Sequence, residues 1–328
     1  MAGAYTRERE VAIEAVRQAA RICRAVQATI TPDVLEKKDR SPVTIADYGS
    51  QAVVCRLVGE AFPSDPIVGE EEAAQLRSPE NAEFLQRVHR EITQLYGDVS
   101  PDQICGWIDR GGADATGRRY WTLDPIDGTK GFLRKEQYAI ALALLVDGRI
   151  DVAVLGCPNL PLTPGGADHG AVFYAVRGEG AYVVPLEGNA APRPVRVSQT
   201  NETRSARFCE SVESGHSSHS DSQAIAERLG ITAAPVRLDS QAKYAVVARG
   251  EADIYLRLPT KADYFECIWD HAGGVLIVEE AGGRVTDVAG RSLDFTKGRK
   301  LTGNRGVVVT NGRIHDAVVS AVQAVGVK

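Results

Sequence analysis

The most informative part of this chain is Trp121-Thr-Leu-Asp-Pro-Ile-Asp-Gly-Thr-Lys-Gly-Phe132. Its apolar beginning, residues 120–123, predicts the end of a buried strand that delivers Asp124 and Asp127 to one point. The intervening proline fixes φ and Gly128 permits a tight turn, so the two carboxylates can converge. Hard cations such as Mg²⁺ take oxygen ligands from one or two carboxylates together with a substrate phosphate. The stretch therefore predicts half of a magnesium site, with an Asx turn and two solvated aspartates as the alternative.

The backbone of the same turn offers two further kinds of ligand. The carbonyl of Ile126 falls between the two aspartates and could supply a third oxygen to the cation. If a helix starts after the turn, the amides of Gly128 and Thr129 lack intrahelical partners and are free to bind phosphate. We therefore expect a cation and a phosphate to bind side by side here.

Length and composition limit the classes of protein to consider. At 328 residues the chain exceeds what one hydrophobic core usually supports, so we expect two domains or one large one. Its 44% hydrophobic and 25% charged residues are ordinary for a soluble globular protein. The net charge of −5 argues against a nucleic-acid polymer as partner, because non-specific affinity for such polymers depends on neutralising phosphates. A small anionic ligand needs only a local cluster of positive groups.

Cysteine spacing and hydropathy bear on the compartment. The six cysteines are widely separated, with no CxxC pair and no zinc-like spacing, so we expect reduced thiols in a cytoplasmic protein. The N-terminal residues carry early acids and lack the apolar region of a signal peptide. No segment has the apolar length of a membrane span, so we expect no membrane partner.

The pattern of elements predicts two halves of different architecture. An amphipathic helix over residues 7–29 and a second over residues 48–61 precede apolar strands joined by tight turns, which indicates an antiparallel sheet flanked by helices. The second half alternates short strands with helices, which is typical of an α/β unit. The segment 185–194 is the best linker. We accordingly predict an N-terminal α+β domain over residues 1–190 and a C-terminal α/β domain over residues 191–328.

Three further acids each have a structural and a functional interpretation. Asp47 ends a polar segment, residues 37–47, that predicts a strand or hairpin, and it is either the N-cap of the next helix or a functional carboxylate. Glu70 follows a short buried strand, where it is either solvated or directed at the aspartates of the turn. Asp270 lies in the first turn of a helix predicted over residues 268–281, where it favours the helix dipole and also suits a metal.

Four motifs in one order resemble the inositol monophosphatase superfamily of lithium-sensitive, Mg²⁺-dependent phosphatases. They are Asp39-Arg-Ser-Pro-Val-Thr-Ile-Ala-Asp47, Val68-Gly-Glu-Glu71, Leu123-Asp-Pro-Ile-Asp-Gly-Thr129 and Trp269-Asp-His-Ala-Gly-Gly with Glu280-Ala-Gly-Gly283. The resemblance runs from about Val11 to Gly312, nearly the whole chain. It implies an α/β (α+β) fold, the layered αβαβα sandwich of the inositol monophosphatase and fructose-1,6-bisphosphatase type.

Within that superfamily the chain is most similar to the 3′(2′),5′-bisphosphate nucleotidases. The features that carry this similarity are Lys130-Gly-Phe, the long interval between Glu70 and Asp124, and two second-half segments, residues 212–219 and 238–259. The similarity implies hydrolysis of 3′-phosphoadenosine 5′-phosphate to AMP and phosphate by metal-activated water, without a phosphoenzyme. Its sulfated precursor is a further candidate substrate.

The resemblance also assigns roles residue by residue. It implies two or three Mg²⁺ ions held by Glu70, Asp124, the Ile126 carbonyl, Asp127 and Asp270. Asp47 and Thr129 correspond to the pair that orients and deprotonates the attacking water. The implied substrate-binding residues are Gly128, Thr129, His216, Ser240, Lys243, Arg257 and Asp270. Lys243 and Arg257 would pair with the 5′-phosphate, and solvated surface charges are the alternative for both.

Other functions remain open on the sequence. An inositol monophosphate, inositol 1,4-bisphosphate or fructose 1,6-bisphosphate could replace the nucleotide, although cations placed for a second phosphate argue against a strict monophosphatase. The non-enzymatic alternative is a nucleotide-binding regulatory protein, against which the complete set of acids argues. The expected partner is a small nucleotide bisphosphate, and we expect a monomer or a weak homo-oligomer.

Overall fold

The computed structural model describes residues 3–29, 41–74, 76–212, 219–259 and 263–327. Its first half contains α1 (Thr6–Thr29), α2 (Ser41–Ala61), β1 (Ile67–Gly69), α3 (Ala82–Tyr96), α4 (Pro101–Asp109), β2 (Arg119–Asp127), α5 (Thr129–Leu133), β3 (Ala139–Val146), β4 (Arg149–Pro161), β5 (His169–Val176), β6 (Gly180–Pro185) and β7 (Arg193–Pro194). Its second half contains β8 (Phe208–Glu210), α6 (His219–Leu229), β9 (Val236–Arg237), α7 (Ala242–Ala248), β10 (Ile254–Arg257), α8 (Ala272–Glu280), β11 (Arg284–Thr286), β12 (Val307–Thr310) and α9 (His315–Val325).

The first half forms a seven-stranded sheet in the sequential order β1-β2-β3-β4-β5-β6-β7. All neighbouring pairs are antiparallel except β1 and β2, which run parallel. Between β3 and β4 the residues Asp147 and Gly148 both have positive φ, +50° and +75°, as a two-residue hairpin turn requires. The antiparallel sheet expected for the first half is confirmed.

Helices cover both faces of this sheet. Helix α1 packs on β3, β4 and β5 and against α2, burying small apolar residues such as Ala12, Ala15 and Ala19 that let the backbones approach closely. Helix α8 contacts β3, β4 and β5 from the other face and packs beside α7. Because β3 and β4 are buried between these layers, they consist of nearly continuous apolar residues.

The second sheet has the order β11-β12-β10-β8-β9, and it completes the layers. Helix α7 contacts β8, β10 and β12, so α7 and α8 lie between the two sheets. Helices α6 and α9 pack together on the outer face, over a separate apolar cluster that includes Phe208, Ile225 and Val318. The resulting order, helices, sheet, helices, sheet, helices, is the predicted αβαβα arrangement. The domain boundary placed between residues 190 and 191 stays a prediction.

Two local predictions around the acids were wrong. Helix α2 begins at Ser41, with Pro42 in its first turn where proline is tolerated, so Asp47 lies inside the helix and is not its N-cap. The strand or hairpin predicted over residues 37–47 is therefore incorrect for residues 41–47, and residues 37–40 lie outside the described part. The helix predicted over residues 268–281 is divided, because a 3-10 turn, Ile268–Asp270, precedes α8.

Among the helices and strands that the structure describes, four were not predicted: α4, β7, β11 and α9. Strand β7 lies in the segment 185–194 that was interpreted as a linker, and it pairs with β6. At the start of α4, Ser100 and Gln103 form a capping box. Among the helices that the structure describes, none combines the length and the apolar character needed to cross a bilayer.

Candidate active site

A cavity of about 390 Å³ joins the turn after β2 to the second sheet. Ten of the residues predicted for the site line it: Glu70, Asp124, Ile126, Asp127, Gly128, Thr129, Ser240, Lys243, Arg257 and Asp270. Lys130, Ser211, Asp239, Tyr255, Tyr264, Cys267 and Trp269 line it as well. Of the two remaining predicted residues, Asp47 is described below and His216 lies outside the described residues. Residues from separate elements of both halves thus meet at one cavity.

The turn that carries the two aspartates is shaped by a break in sheet pairing. Asp124 pairs with Ala141 and Asp127 with Ala139, so the register shifts between the two aspartates. Such an irregularity bends the strand and changes where its side chains point. Gly128 then adopts a φ of +90°, and the short helix α5 begins at Thr129. Glycine suits this position because it reaches positive φ without steric cost.

The second half docks directly on this turn. A Cβ at Gly128 would lie 2.7 Å from Cβ of Ser240, so only glycine fits there without displacement. The backbone N–H of Gln241 donates to Oδ2 of Asp127 at 2.6 Å. Ser240 itself has a φ of +73°, a strained conformation for a residue other than glycine. These contacts couple Asp127 to the segment that precedes α7.

The acids of the site lie close together at different depths, with Asp124 buried, Asp127 and Asp270 half-buried and Glu70 reaching the surface. Burial, followed by the charges of Asp270, Glu71 and Asp127, raises the pKa of Glu70 to about 8, and a hydrogen bond with Asp124 acts in the opposite direction. Burial, followed by Glu70 and the other acids, raises the pKa of Asp124 well above its ordinary value. Burial also raises the pKa of Asp270 to about 6, against the effect of Arg257. The raised pKa values mean that full ionisation of these acids costs free energy in the metal-free protein.

One atom of the cluster indicates what would reduce that cost. Oδ1 of Asp124 is buried and has no hydrogen-bond partner in the described structure. A buried acceptor without a partner costs about 1–3 kcal/mol, and a cation could satisfy it. Oxygen donors from Glu70, Asp124 and Asp127 are the ligands that Mg²⁺ prefers. The residues present fit a hard divalent cation.

A second group of possible ligands overlaps the first. Ligand atoms of Glu266, Asp270 and His271 lie within 4.8 Å of one another. Oε2 of Glu266, however, lies 2.9 Å from Nε of Arg257. Because the Arg257 guanidinium already neutralises Glu266, the three residues Glu266, Asp270 and His271 are less suited to a metal than the acids around Asp124.

The lining of the cavity also includes two cations, Lys243 and Arg257. Lys243 is only 4% exposed, and its Nζ lies 5.1 Å from the ring centroid of Tyr255 and 3.5 Å from the carbonyl oxygen of Leu238. Burial lowers the pKa of Lys243. Burial also acts to lower the pKa of Arg257, but Glu266 and other neighbouring groups hold it well above its ordinary value. One buried and one half-buried cation beside a cavity are suited to an anionic ligand.

Comparison with known proteins identifies the scaffold. The sequence matches the model of the inositol monophosphatase family over residues 4–326. The chain belongs to the inositol monophosphatase family. The family resemblance inferred from the four motifs is confirmed.

Among curated members of this family, the chain is 45% identical to a 3′(2′),5′-bisphosphate nucleotidase of Emericella nidulans, over 98% of this chain and 99% of that protein. It is 44% identical to the protein of the same name from Schizosaccharomyces pombe, over 98% and 96%. The Dictyostelium discoideum protein of that name is 41% identical, over 96% of each chain. All three relatives are named 3′(2′),5′-bisphosphate nucleotidase, the branch of the family that the motifs resembled.

Solved structures confirm the predicted fold class. An inositol monophosphatase from Anabaena (Nostoc) sp. PCC 7120 superposes with a TM-score of 0.62 at 22% identity, covering 98% of this chain and 97% of that one. An inositol monophosphatase from Zymomonas mobilis superposes with a TM-score of 0.64 at 18% identity, covering 98% and 99%. At these identities the likeness concerns the fold alone.

Asp47 lies behind the family's acid cluster and does not line the cavity. It is buried in α2, and burial, then Glu71 and Glu70, raises its pKa well above the ordinary value. In turn its charge contributes to the raised pKa of Asp124. Asp47 is therefore close enough to interact electrostatically with Glu70 and Asp124, two of the acids predicted to form the site with it.

Sequence reasoning missed two acids that form ion pairs with arginines near the cavity. Asp239 forms an ion pair with Arg134, and Glu266 forms one with Arg257. Asp239 stands inside a segment that the nucleotidase resemblance singled out, so its motif was the available signal. Glu266 precedes Asp270 by four residues without any local pattern that marks it, and only folding brings it to Arg257.

Proposed function

We propose that this chain is a 3′(2′),5′-bisphosphate nucleotidase that hydrolyses the 3′-phosphate of 3′-phosphoadenosine 5′-phosphate to give AMP and phosphate. We extend the proposal to the sulfated precursor of this nucleotide as a second substrate. The observation that carries it is one cavity whose lining combines the acids Glu70, Asp124, Asp127 and Asp270 with two cations, the buried Lys243 and the half-buried Arg257. A ligand with two phosphates matches a lining that offers both acids for a metal and cations for a second phosphate, and the relatives have the corresponding name.

We infer that Glu70, Asp124, the Ile126 carbonyl, Asp127 and Asp270 hold the metal, as two or three Mg²⁺ ions, and that Li⁺ inhibits. When bound, Mg²⁺ supplies Lewis-acid polarisation of the phosphoryl oxygens and lowers the pKa of water. The unpartnered Oδ1 of Asp124 supports this assignment. The raised pKa of Glu70 supports it too, because after burial its main causes are the neighbouring acids Asp270, Glu71 and Asp127.

The remaining residues would bind, orient and move a proton. Asp47 would receive the proton of the attacking water through the Thr129 hydroxyl, since a buried carboxylate with a raised pKa is a better base than an exposed one. Gly128 and Thr129 would orient the reacting phosphate. Lys243 and Arg257 would neutralise the 5′-phosphate, with Ser240 and His216 completing the substrate site.

The proposed context follows from the same features. The partner is a small nucleotide, with no role for nucleic acid or membrane, and the protein is a monomer or weak homo-oligomer. We place it in the cytoplasm, because all six cysteines are free thiols and five of them are buried.

The deciding experiment measures phosphate release with Mg²⁺ from 3′-phosphoadenosine 5′-phosphate and from inositol 1-phosphate, each with and without Li⁺. We expect a strong, lithium-blocked preference for the nucleotide. Preference for the inositol ester would retain the metal site but overturn the roles given to Lys243 and Arg257. No release from either compound, together with tight nucleotide binding, would favour the regulatory protein instead.

A further inference from the structure

We propose that Glu266 is a positioning residue that determines the preference for a substrate with a second phosphate, by holding the Arg257 guanidinium in place. This inference rests on the proposed function, because it requires that Arg257 binds the non-reacting phosphate. Nothing in the sequence motifs assigns a role to Glu266. The inference comes from the contacts of its side chain.

The contact between the two residues is made through one particular nitrogen. Oε2 of Glu266 lies 2.9 Å from Nε of Arg257, and Arg257 lines the cavity. A guanidinium that is held at Nε keeps its two terminal nitrogens available for a bidentate contact with a phosphate. The ion pair therefore fixes the direction of the side chain without using the donors that suit the ligand.

Buried residues lie behind Glu266. Nε2 of His271 lies 3.5 Å from Oε2 of Glu266 without a hydrogen bond between them, and Nδ1 of His271 lies 2.7 Å from the Tyr244 hydroxyl. His271 and Tyr244 are fully buried. The backbone of Gly274 on α8 lies directly against the Tyr244 ring, where a Cβ would collide with it. A continuous chain of packed polar groups thus connects the helices between the sheets to Arg257.

Holding Arg257 in place affects the free energy of binding, because a long cationic side chain loses conformational freedom when it binds a phosphate. Fixing the side chain before the ligand arrives removes part of that cost and increases affinity. The benefit applies only to a substrate that reaches Arg257. Glu266 should therefore change discrimination between bisphosphate and monophosphate more than it changes hydrolysis itself.

The competing role for Glu266 is that of a metal ligand. Its carboxylate, the carboxylate of Asp270 and the ring of His271 offer ligand atoms close enough together to share one ion. The two roles predict different results. A metal ligand affects every substrate and shifts the Mg²⁺ concentration needed for half-maximal activity. A positioning residue changes the ratio of kcat/KM between two substrates that differ by one phosphate.

The experiment compares adenosine 3′,5′-bisphosphate with adenosine 3′-monophosphate in the wild type, Glu266→Gln, Arg257→Ala and the double variant. We expect Glu266→Gln to lower the ratio of kcat/KM values, bisphosphate over monophosphate, by about tenfold, mainly through KM. We expect Arg257→Ala to lower it further. In the Arg257→Ala background, Glu266→Gln should have no additional effect on the ratio, because its partner is gone.

Three results would overturn the inference: an unchanged ratio in Glu266→Gln, additive effects in the double variant, or an equal loss for both substrates with a shifted Mg²⁺ requirement. Circular dichroism checks that each variant is folded. Should Glu266→Gln not fold, Glu266→Asp is measured in the same way, and its shorter side chain should lower the ratio in part. A wild type that does not prefer the bisphosphate would refute the proposed function instead. If the wild type and Arg257→Ala behave as expected and Glu266→Gln does not, only the present inference fails.

Discussion

Asp124 and Asp151 are both buried aspartates of the first sheet, and their surroundings are opposite. Asp151 on β4 is 0% exposed and faces Nε of Arg149 at 2.8 Å and the Tyr5 hydroxyl at 2.7 Å. Asp124 on β2 is 2% exposed, and one of its oxygens has no partner in the described structure. Burial of an acid is thus common to a structural position and to a candidate metal ligand. What separates them is whether the protein itself supplies the compensating charge.

This difference determines what each residue contributes. A buried carboxylate with its own cation contributes to stability, because removing it leaves the cation and the hydroxyl without partners. A buried carboxylate surrounded by other acids, like Asp124, makes the folded protein less stable until a cation binds. The site therefore reduces the stability of the free protein in favour of binding.

The largest expected effect is on catalysis. Asp124→Asn should lower kcat for phosphate release by a factor on the order of 10³, because it removes one metal-binding oxygen and several kcal/mol of electrostatic stabilisation. The free protein should remain folded, since the substitution also removes a buried charge. Steady-state assays at saturating Mg²⁺ measure the rate, and urea unfolding measures stability. Near-normal turnover would show that Asp124 is not a metal ligand.

Asp151→Asn is the matched change at the other aspartate. It should lower the free energy of unfolding by about 2 kcal/mol, because Arg149 and Tyr5 lose a buried charged partner. Specific activity should remain that of the wild type at temperatures where the protein is folded. Urea unfolding and the same phosphate assay test both statements. A large loss of activity in a folded variant would mean that the two aspartates do not differ as argued.

The turn beside the acids should be nearly as sensitive as the acids themselves. Gly128→Ala introduces a Cβ 2.7 Å from that of Ser240 at a φ of +90°. We expect stability to fall by about 1–3 kcal/mol, and activity to fall at least tenfold, because Asp127 and Thr129 flank the displaced residue.

Gly326→Ala is the control for backbone strain. Gly326 has a φ of +87° and a ψ of 18°, in the left-handed region like Gly128, but an added Cβ there would meet no atom within 4 Å. It should lower stability by about 1 kcal/mol and leave activity intact. Equal effects of the two substitutions on activity would indicate that the contact with Ser240 is unimportant.

The same contrast explains how much of the site the sequence could predict. Asp124, Asp127 and Gly128 belong to one short segment whose chemistry is local, so elementary rules of turns and ligands identify them. Lys243 and Arg257 are ordinary charged residues in the sequence, and only the family resemblance selected them. Their burial, like the ion pair with Glu266, depends on the packing of elements that are remote in the chain.

The fold was predictable to a similar depth. Hydrophobic periodicity identified most strands of the first sheet, because each strand pairs with its neighbour in the sequence. The order β11-β12-β10-β8-β9 of the second sheet depends on crossovers that periodicity does not record. Asp47 was misplaced at a helix start because the residues before it, Ser41-Pro-Val-Thr44, include polar residues and a proline, which are typical of a turn, although they form the first turn of α2.

The smallest expected effect concerns the pH dependence of stability. Glu70 has an ordinary pKa of 4.5 and a folded-state pKa of about 8. Between these two pH values the folded protein keeps the proton and the unfolded chain releases it. The stability that this group contributes is therefore fully present below pH 4.5 and is lost as the pH rises through 8. The metal-free wild type should therefore be less stable at pH 8 than at pH 6. Saturating Mg²⁺ should oppose this loss, because a cation replaces the proton as the compensating charge. At one hundred times its Kd a ligand stabilises the folded state by about 2.7 kcal/mol.

Thermal unfolding with EDTA or with Mg²⁺, at both pH values, tests this linkage in three proteins. The wild type and Asp151→Asn should both gain stability from Mg²⁺, and more at pH 8 than at pH 6. Asp124→Asn should gain less at either pH, since it has lost both a ligand and a source of repulsion. An identical Mg²⁺ response in Asp124→Asn and Asp151→Asn would contradict the argument, because a cation that binds at the uncompensated acids must distinguish between these two residues.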